Sequence, residues 1–246
     1  MSGAPHLSII IPLAPGETEQ DGLLAALHGL PGGQEVILVR PEGQPVPAAG
    51  DWPPHLALRH VAVPAGRARQ MNAGAAAARG AWLWFLHADS RPAPGTLAAV
   101  LAFAQRDEPA LGWLALRFRA DGPWLTRLNA WGANRRSAWL GLPFGDQGFL
   151  LPAASLRALG GYDETAPYGE DHLLAWAAHA ARLPVLPVGA ALHTSARKYA
   201  RRGWLGTTWL HWRLTAAQGW GAWRRLRAAR RRAPPGEKPP GRGRRV

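Results

Sequence analysis

The chain has 246 residues, with 29 Lys+Arg against 16 Asp+Glu and no Cys, for a formal net charge of +13. This length suits one large domain, or one domain with an appendage, and it can bury a sizeable core without covalent staples. The absence of cysteine excludes a disulfide scaffold, a thiol nucleophile and a thiolate metal site.

The positive charge is concentrated at the C-terminal end. Residues 1–196 carry a net charge of −1, whereas residues 197–246 carry +14. Attraction to phosphates or anionic lipid therefore belongs to this end, and we expect no specific nucleic-acid partner. No apolar run reaches the roughly 20 residues of a membrane-spanning helix. Residues 7–14 lack the preceding positive charge of a signal peptide, so we predict a cytoplasmic protein.

Alternation of strands and helices in the first half predicts the fold class. Continuous apolar runs predict strands that are buried on both faces, at 7–14, 35–40, 56–63 and 81–88. Helices are expected at 18–30 and at 66–79, with Gly80 as a stop signal. This order is typical of an α/β protein with a doubly wound, mostly parallel (mixed) sheet and helices on both faces.

The second half continues the pattern with shorter segments. Residues 94–106 and 170–182 are predicted to be helices, and residues 155–162 a short helix capped by Gly160. The alternation in 113–120 predicts a half-exposed strand, and 144–152 reads as a turn that leads into a strand.

The C-terminal segment has a different composition. Residues 201–232 combine an apolar stripe at helical spacing with a cluster of six arginines at 224–232. The stripe consists of Leu205, Trp209, Trp212, Ala216, Trp220 and Trp223. Such a helix could lie on an anionic membrane, or its stripe could pack on the main domain with the arginines solvated. Residues 233–246 are rich in Pro, Gly and Arg and are predicted to be disordered.

Asp89 follows the fourth predicted strand, within the sequence HAD at 87–89. Ligands of parallel sheets bind beyond the carboxyl ends of the strands. A carboxylate placed there could hold a divalent cation that neutralises a diphosphate leaving group. Alternatively, Asp89 or Ser90 could cap the next helix.

Glu170 and Asp171 open a predicted helix, beside His172. One carboxylate could accept a proton from an attacking hydroxyl while its neighbour fixes the geometry. Helix capping by the acids is the alternative.

Two glycine-containing segments could approach a ligand closely. In FGDQG (144–148), the glycines permit close backbone approach, although an ordinary turn fits as well. GRARQMNAG (66–74) opens a helix with several donors that could reach a phosphate or a sugar, or could form a solvated face. These donors are Arg67, Arg69, Gln70 and Asn72.

Taken in order, these motifs resemble glycosyltransferase family 2, and more narrowly its bacterial radical-SAM/selenodomain-associated subset. The resemblance covers about residues 6–200 and includes GRARQMNAG, WLWFLHADSRP, FGDQGFLLP, LRALGGYDE, GED and TSARK. It implies a GT-A fold at 1–200, with a nucleotide-binding half (about 1–92) and an acceptor half (about 93–200). It also implies inverting transfer from a nucleotide-sugar donor to an acceptor hydroxyl, assisted by Mg²⁺ or Mn²⁺.

The resemblance also implies residue roles. Asp89 would hold the metal, Asp171 would be the general base, and Glu170 would orient the base or the helix start. The residues implied near the donor or the acceptor are Pro12, Gln70, Asn72, Asp146 and Gln147. Pro12 would lie at the nucleoside, Gln70 and Asn72 beneath the donor, and Asp146 and Gln147 beside the donor sugar and the acceptor.

Three departures from the family pattern matter. His87 replaces the first acid of the Asp-x-Asp signature; it could ligate Mn²⁺ better than Mg²⁺, or point away. The second strand ends at Arg40, followed by Glu42, instead of ending in an acid that reads the base. His193 could be a late metal ligand or an ordinary surface or core histidine.

The partners and alternatives follow from these features. A lipid-linked acceptor would make membrane anchoring through 201–246 useful, at the inner face of the plasma membrane. A GT-A-like nucleotidyltransferase is one alternative, although residues 12–20 lack the basic phosphate loop that usually follows the first strand in that class. The other is a catalytically degenerate binding protein, which His87 and the basic segment would support.

Overall fold

A single eight-stranded sheet forms the centre of the molecule. The computed structural model describes residues 7–46, 52–206, 208, 209 and 213. The strands are β1 (Leu7–Pro12), β2 (Glu35–Pro41), β3 (Ala57–Val63), β4 (Trp82–Phe85), β5 (Arg91–Pro92), β6 (Leu111–Phe118), β7 (Leu150–Pro152) and β8 (Val185–Thr194). Their order across the sheet is β3-β2-β1-β4-β7-β6-β8-β5.

The four apolar runs of the first half form the parallel part of this sheet. β1 lies between β2 and β4, and Ile10 pairs with Ile37 on one side and with Phe85 on the other. Strands β1 and β4 are almost wholly buried, as continuous apolar runs predict. β7 pairs antiparallel with β4, so the sheet is mixed, as predicted.

Helices cover both faces of the sheet. They are α1 (Gln20–Leu27), α2 (Arg67–Ala77), α3 (Thr96–Phe103), α4 (Thr126–Leu140), α5 (Ala153–Ala158), α6 (Glu170–Ala180) and α7 (Arg197–Arg202). One core layer contains residues of α1 and α3, and the other contains residues of α2, α5 and α6. Gly74 lets α2 lie close to β1, because a Cβ there would be 2.5 Å from Ile10 Cγ2.

The predicted elements are largely confirmed, with four differences. β3 is the edge strand of the sheet and is partly exposed along its length, so the prediction that 56–63 is buried on both faces is wrong. β4 ends at Phe85, earlier than predicted, so His87 and Asp89 lie in the loop that follows. The prediction of a half-exposed strand at 113–120 is wrong for its first part: β6 begins at Leu111 and is buried through Leu114, because both core layers cover it. Helix α4 and strand β8 were not predicted.

Only the beginning of the C-terminal segment is described. α7 starts at Arg197, before the predicted boundary at 201, and Trp204, Leu205, Trp209 and Arg213 are helical. The remainder of the predicted 201–232 helix and the predicted disordered tail at 233–246 lie outside the described residues. Within the part of the chain that is described, no helix combines the length and the apolar character needed to cross a membrane.

Candidate active site

Arg67, the first residue of α2, joins three of the predicted site residues. Its Nε lies 3.1 Å from Glu170 Oε1, its Nη2 lies 3.7 Å from Asp171 Oδ2, and its Nη2 also contacts His87 Nε2. Burial, together with the positive charges of Arg67 and Lys198, holds the pKa of His87 well below its ordinary value. His87 is therefore a neutral acceptor toward Arg67 at neutral pH.

Asp171 is fixed by the backbone on two sides. Its Oδ2 accepts a hydrogen bond of 2.7 Å from the N–H of Gly145, and its Oδ1 accepts one of 2.7 Å from the N–H of His172. A Cβ at position 145 would contact Asp171 Oδ2 and lie 2.7 Å from Arg67 Nη2, so any other residue would displace these side chains. Gly169 is the N-cap of α6 and no side chain caps it, but Glu170 and Asp171 lie in the first turn and Asp171 accepts the His172 N–H, so the alternative role at the helix start is also met.

Asp146 adds a third carboxylate beside these residues. Burial raises its pKa, and the neighbouring charge of Asp171 raises it further, while Lys198 and Arg136 oppose the shift. Asp146 Oδ1 is buried and has no hydrogen-bond partner among the described residues. A buried oxygen of this kind is costly unless a ligand satisfies it. We call Arg67, His87, Asp146, Glu170 and Asp171 the carboxylate cluster.

Gln147 does not lie open to a donor, in contrast to its predicted role. Its side chain is fully buried. Its Oε1 accepts hydrogen bonds from Ser137 Oγ at 2.7 Å and from the N–H of Phe144 at 3.1 Å, and its Nε2 donates to the Leu114 carbonyl at 3.3 Å. These bonds hold the 144–148 loop in place, and a buried amide without them would be destabilising.

The two amides of α2 are also used within the protein instead of facing a ligand. Gln70 Nε2 donates to the carbonyls of Leu13 at 2.8 Å and Val39 at 2.7 Å, which ties the ends of β1 and β2 together. Asn72 binds both backbone groups of Tyr162: its Nδ2 donates to the carbonyl at 2.9 Å and its Oδ1 accepts the N–H at 2.8 Å. Gln70 and Asn72 therefore position neighbouring segments, and their place beneath the donor stays a prediction.

Asp89 lies at the carboxyl edge of the sheet, as predicted, and contacts the end of β8. Its Oδ2 accepts hydrogen bonds from Thr194 Oγ1 at 3.1 Å and from the N–H of Ser195 at 3.2 Å. The next helix, α3, begins only at Thr96 after Gly95, without a side-chain cap, so neither Asp89 nor Ser90 has the alternative capping role. Since His87 belongs to the carboxylate cluster, Asp89 and Asp171 lie at the same edge.

A second ionic cluster, which the sequence did not reveal, lies beside Asp89. The carboxylate of Glu19 receives Arg119 Nη1 at 2.8 Å, Arg197 Nη1 at 2.9 Å and Arg91 Nη2 at 3.2 Å. The hydrogen bond from Arg119 and the charges of all three arginines lower the pKa of Glu19 against the opposing effect of burial. We call Glu19, Arg91, Arg119 and Arg197 the arginine cluster. Its members come from four distant segments, so no local motif signals it.

The described residues contain no group of three or more His, Asp or Glu side chains suited to a metal ion. His193 precedes Thr194 on β8, and neighbouring side chains of a strand point to opposite faces. Because Thr194 reaches Asp89, His193 points away, and its predicted role as a ligand is not supported. The single carboxylate of Asp89 suits Mg²⁺ or Mn²⁺ of the kind that is bound mainly through substrate phosphates.

A cleft opens at the carboxyl ends of β1 and β2, next to Pro12. Its lining includes Leu13, Gln20 and Arg40. Arg40 Nη1 donates to the Gln44 carbonyl at 2.6 Å, which orients the guanidinium within this lining. The cleft occupies the place that the resemblance implies for the nucleoside.

The comparisons with known proteins match part of the chain by sequence and most of it by fold. Residues 46–152, fewer than half of the 246, match the sequence family described as Glycosyl transferase family 2. The fold is GT-A-like. No finding bears on the radical-SAM-associated subset, which stays a prediction. No curated protein matches the chain significantly.

Solved structures show the same fold at low sequence identity. S. aureus TarS 1-349 superposes with a TM-score of 0.59 at 18% identity, over 77% of this chain and 60% of that one. The mannosyltransferase PcManGT from Pyrobaculum calidifontis, in complex with GDP-Man and Mn²⁺, gives 0.60 at 20% identity, over 78% and 57%. A complex of TarS 1-349 with UDP-GlcNAc gives 0.58 at 17%, over 77% and 58%. The chain thus spans about 60% of the length of these relatives.

Proposed function

We propose that the protein transfers a sugar, with inversion, from a nucleotide-activated donor to an acceptor hydroxyl. The observation that carries this proposal is the position of Asp171, which the N–H of Gly145 and the guanidinium of Arg67 hold at the carboxyl edge of the sheet. Ligands of α/β sheets bind beyond this edge. Solved proteins of the same fold that were crystallised with UDP-GlcNAc and with GDP-Man support a nucleotide-sugar donor.

The proposed reaction transfers one proton and releases one leaving group. Asp171 takes the proton of the acceptor hydroxyl, and the acceptor oxygen attacks the anomeric carbon from the face opposite the diphosphate. The bond between the anomeric carbon and the phosphate oxygen breaks, and its electrons remain on the diphosphate. A positioned base of this kind typically contributes about 10²–10⁴-fold to the rate.

The remaining charged groups have supporting roles in this proposal. Arg67 orients both Glu170 and Asp171, and its half-exposed guanidinium stabilises negative charge nearby. Asp89 would hold Mg²⁺ or Mn²⁺, which, when bound, neutralises charge on the leaving diphosphate. The cleft beside Pro12 and Arg40 would receive the nucleoside.

The C-terminal segment supports a second element of the proposal, a lipid-linked acceptor at the inner face of the plasma membrane. The net charge of +14 at 197–246 favours an anionic surface, at about 1 kcal/mol for each arginine near it. Removing residues 214–246 should reduce sedimentation with anionic vesicles. Unchanged sedimentation of the truncated protein would contradict this element.

The central test measures transfer from radiolabelled nucleotide sugars, after a thermal-shift screen of donors with Mn²⁺. The Asp171→Asn variant should lose about 10²–10⁴-fold in kcat, and Asp89→Asn should lose the dependence on added metal together with most activity. Asp107→Asn is the matched control, since Asp107 is exposed and lies away from the site. Retention of activity in Asp171→Asn within tenfold would refute the proposed base.

The same assay decides between this function and the two alternatives. A nucleotidyltransferase would release pyrophosphate from a nucleoside triphosphate, whereas a glycosyltransferase releases a nucleotide from a nucleotide sugar. A degenerate binding protein would bind a nucleotide in the thermal-shift screen without turning over any donor. The family match at 46–152 favours the glycosyltransferase.

A further inference from the structure

Large apolar side chains are exposed mainly in one part of the described structure. Nine such residues are exposed there, and seven of them lie on or beside α4 or in the segment after α7. The seven are Trp124, Leu128, Trp131, Trp139, Leu140, Leu205 and Trp209. Their exposed fractions range from 54% to 75%. A concentration of exposed apolar side chains on a folded domain typically marks an interaction surface.

Three of the members on α4, together with Trp124 just before it, form a single stripe. Residues 124, 128, 131, 135 and 139 follow one another at intervals of three or four, which places them on one side of a helix. The buried residues Thr126, Ala130 and Ser137 occupy the opposite side. The guanidinium of Arg135 lies 5.5 Å from the ring of Trp131 and 5.0 Å from that of Trp139. We call Trp124, Leu128, Trp131, Arg135 and Trp139 the aromatic face of α4.

The opposite side of α4 supports the loop that carries Asp146. Ser137 Oγ donates to Gln147 Oε1 at 2.7 Å, and Asn134 Oδ1 accepts from Gln147 Nε2 at 3.3 Å. Arg136 on the flank of α4 lies 3.6 Å from the centre of the Phe144 ring. Helix α4 therefore carries the aromatic face on one side and contacts the loop that contains Asp146 on the other.

The charge around the aromatic face is positive. No acidic residue occurs between Asp121 and Asp146, while the exposed Arg127 and Arg135 lie on α4. The interfacial helices of peripheral proteins combine the same residue types, with tryptophan at the level of the lipid headgroups and arginine paired with anionic lipid.

The basic C-terminal segment starts beside the aromatic face. Asn129 on α4 accepts a hydrogen bond from Trp204 Nε1 at 3.0 Å and donates to Thr208 Oγ1 at 2.9 Å. The exposed Leu205 and Trp209 are thereby held next to α4. The chain then continues into a segment whose net charge, over 197–246, is +14. Two copies joined through these faces would bring two such segments together, so like-charge repulsion disfavours a second copy as the occupant.

We propose that the aromatic face of α4 docks on an anionic bilayer, which places the 144–148 loop on the far side of α4, about 10 Å from the bilayer surface. This assignment deepens the proposed function, since it brings the carboxylate cluster close to the membrane that would hold a lipid-linked acceptor. The docking itself needs no turnover, so its failure and the failure of the glycosyl transfer are distinguishable. Asp171→Asn should abolish transfer and leave vesicle binding intact.

The test is sedimentation of the full chain with vesicles of phosphatidylcholine, alone or mixed with phosphatidylglycerol. The double variant Trp131→Ala/Trp139→Ala, with the C-terminal segment intact, should bind the anionic vesicles at least about tenfold more weakly. Because both side chains are largely exposed, the variant should keep its circular dichroism spectrum and its Tm.

A matched pair of charge reversals tests the contribution of the arginine. Arg135→Glu should weaken binding at least about fivefold. Arg106→Glu should leave it unchanged within twofold, because Arg106 also lies over an aromatic ring, at 5.2 Å from Phe103, but follows α3 instead of lying on α4. Vesicle binding of the folded double tryptophan variant within twofold of the native protein would overturn the proposal. The proposal would also be wrong if the double variant lost self-association but bound vesicles as the native protein does, because the face would then join two copies of the chain.

Discussion

The carboxylate cluster and the arginine cluster lie at the same edge of the sheet, yet their charged groups are shared in opposite ways. In the first, one guanidinium, that of Arg67, is shared by Glu170 and Asp171. In the second, one carboxylate, that of Glu19, is shared by three guanidiniums, and Arg119 also lies 3.6 Å from Asp121. Carboxylates that share a counter-charge suit the acceptance of a proton, whereas guanidiniums that share one suit the binding of an anionic group. The proposed glycosyl transfer needs both environments.

The geometry of the carboxylate cluster should be the most sensitive feature. In Gly145→Ala the new methyl group would displace Asp171 and Arg67, because a Cβ at 145 lies against both side chains. We expect kcat to fall about 100-fold, as for a catalytic group moved by about 1 Å. Gly132→Ala on α4, where a Cβ meets no atom within 4 Å, is the control and should keep full activity. Similar activities in the two variants would argue against a role for the position of Asp171.

The shared arginine should have the next largest effect. Arg67→Ala leaves two mostly buried carboxylates without a counter-charge, so we expect kcat/KM to fall about 10–100-fold and unfolding to cost about 1–3 kcal/mol less. Arg69→Ala, two residues along the same helix, removes only an exposed pair with Glu164 and should change both quantities little. Steady-state kinetics and urea unfolding measure the two effects, and equal losses in both variants would contradict the assignment.

The pH dependence of stability should differ between His172, which lies beside the carboxylate cluster, and the arginine cluster. Burial lowers the pKa of His172, which follows Asp171, from 6.5 to about 4, and Arg136 contributes to the shift. Between these values the unfolded state binds a proton that the folded state does not, so stability falls as the pH drops through this window. We expect the native protein to lose about 2 kcal/mol more than His172→Gln between pH 7 and pH 5. Urea unfolding at both pH values measures these losses. If the two proteins lose the same unfolding free energy between pH 7 and pH 5, the prediction is wrong.

Protonation of Glu19 should lower the stability of the protein at a lower pH than protonation of His172, and by a smaller amount. Its lowered pKa means that its contribution is present above its ordinary value of 4.5 and is lost as the pH falls through the lowered value. Glu19→Gln should therefore cost about 1–2 kcal/mol at pH 7, and the difference from the native protein should shrink below about pH 4. Glu108→Gln is the control, since Glu108 is exposed. If the Glu19→Gln protein is as stable as the native one at pH 7, the ion pairs between Glu19 and the three arginines do not stabilise the fold.

Much of the nucleotide half was predictable because its signals are local. Strands β1, β2 and β4 are mainly apolar and almost wholly buried, and burial on both faces of a parallel sheet requires that composition, whereas β3 at the sheet edge is partly exposed. Asp89 and Arg67 were recognised because they follow strands at the edge where ligands bind. By contrast, the large apolar residues of α4 face the solvent, so the sequence lacks the usual pattern of a helix that packs its apolar side on the core. Helix α4 was not predicted for this reason.

The sequence alone therefore determined the fold class, the parallel half of the sheet and the position of the acids at its edge. Only the tertiary structure decided how the polar side chains are used. Gln70, Asn72 and Gln147 have the composition of ligand contacts but bind backbone groups of distant segments, and Glu19 gathers arginines from three other segments. The physical reason is that a hydrogen bond or an ion pair depends on where two chain segments meet. A linear pattern records the burial of each residue but not its partner.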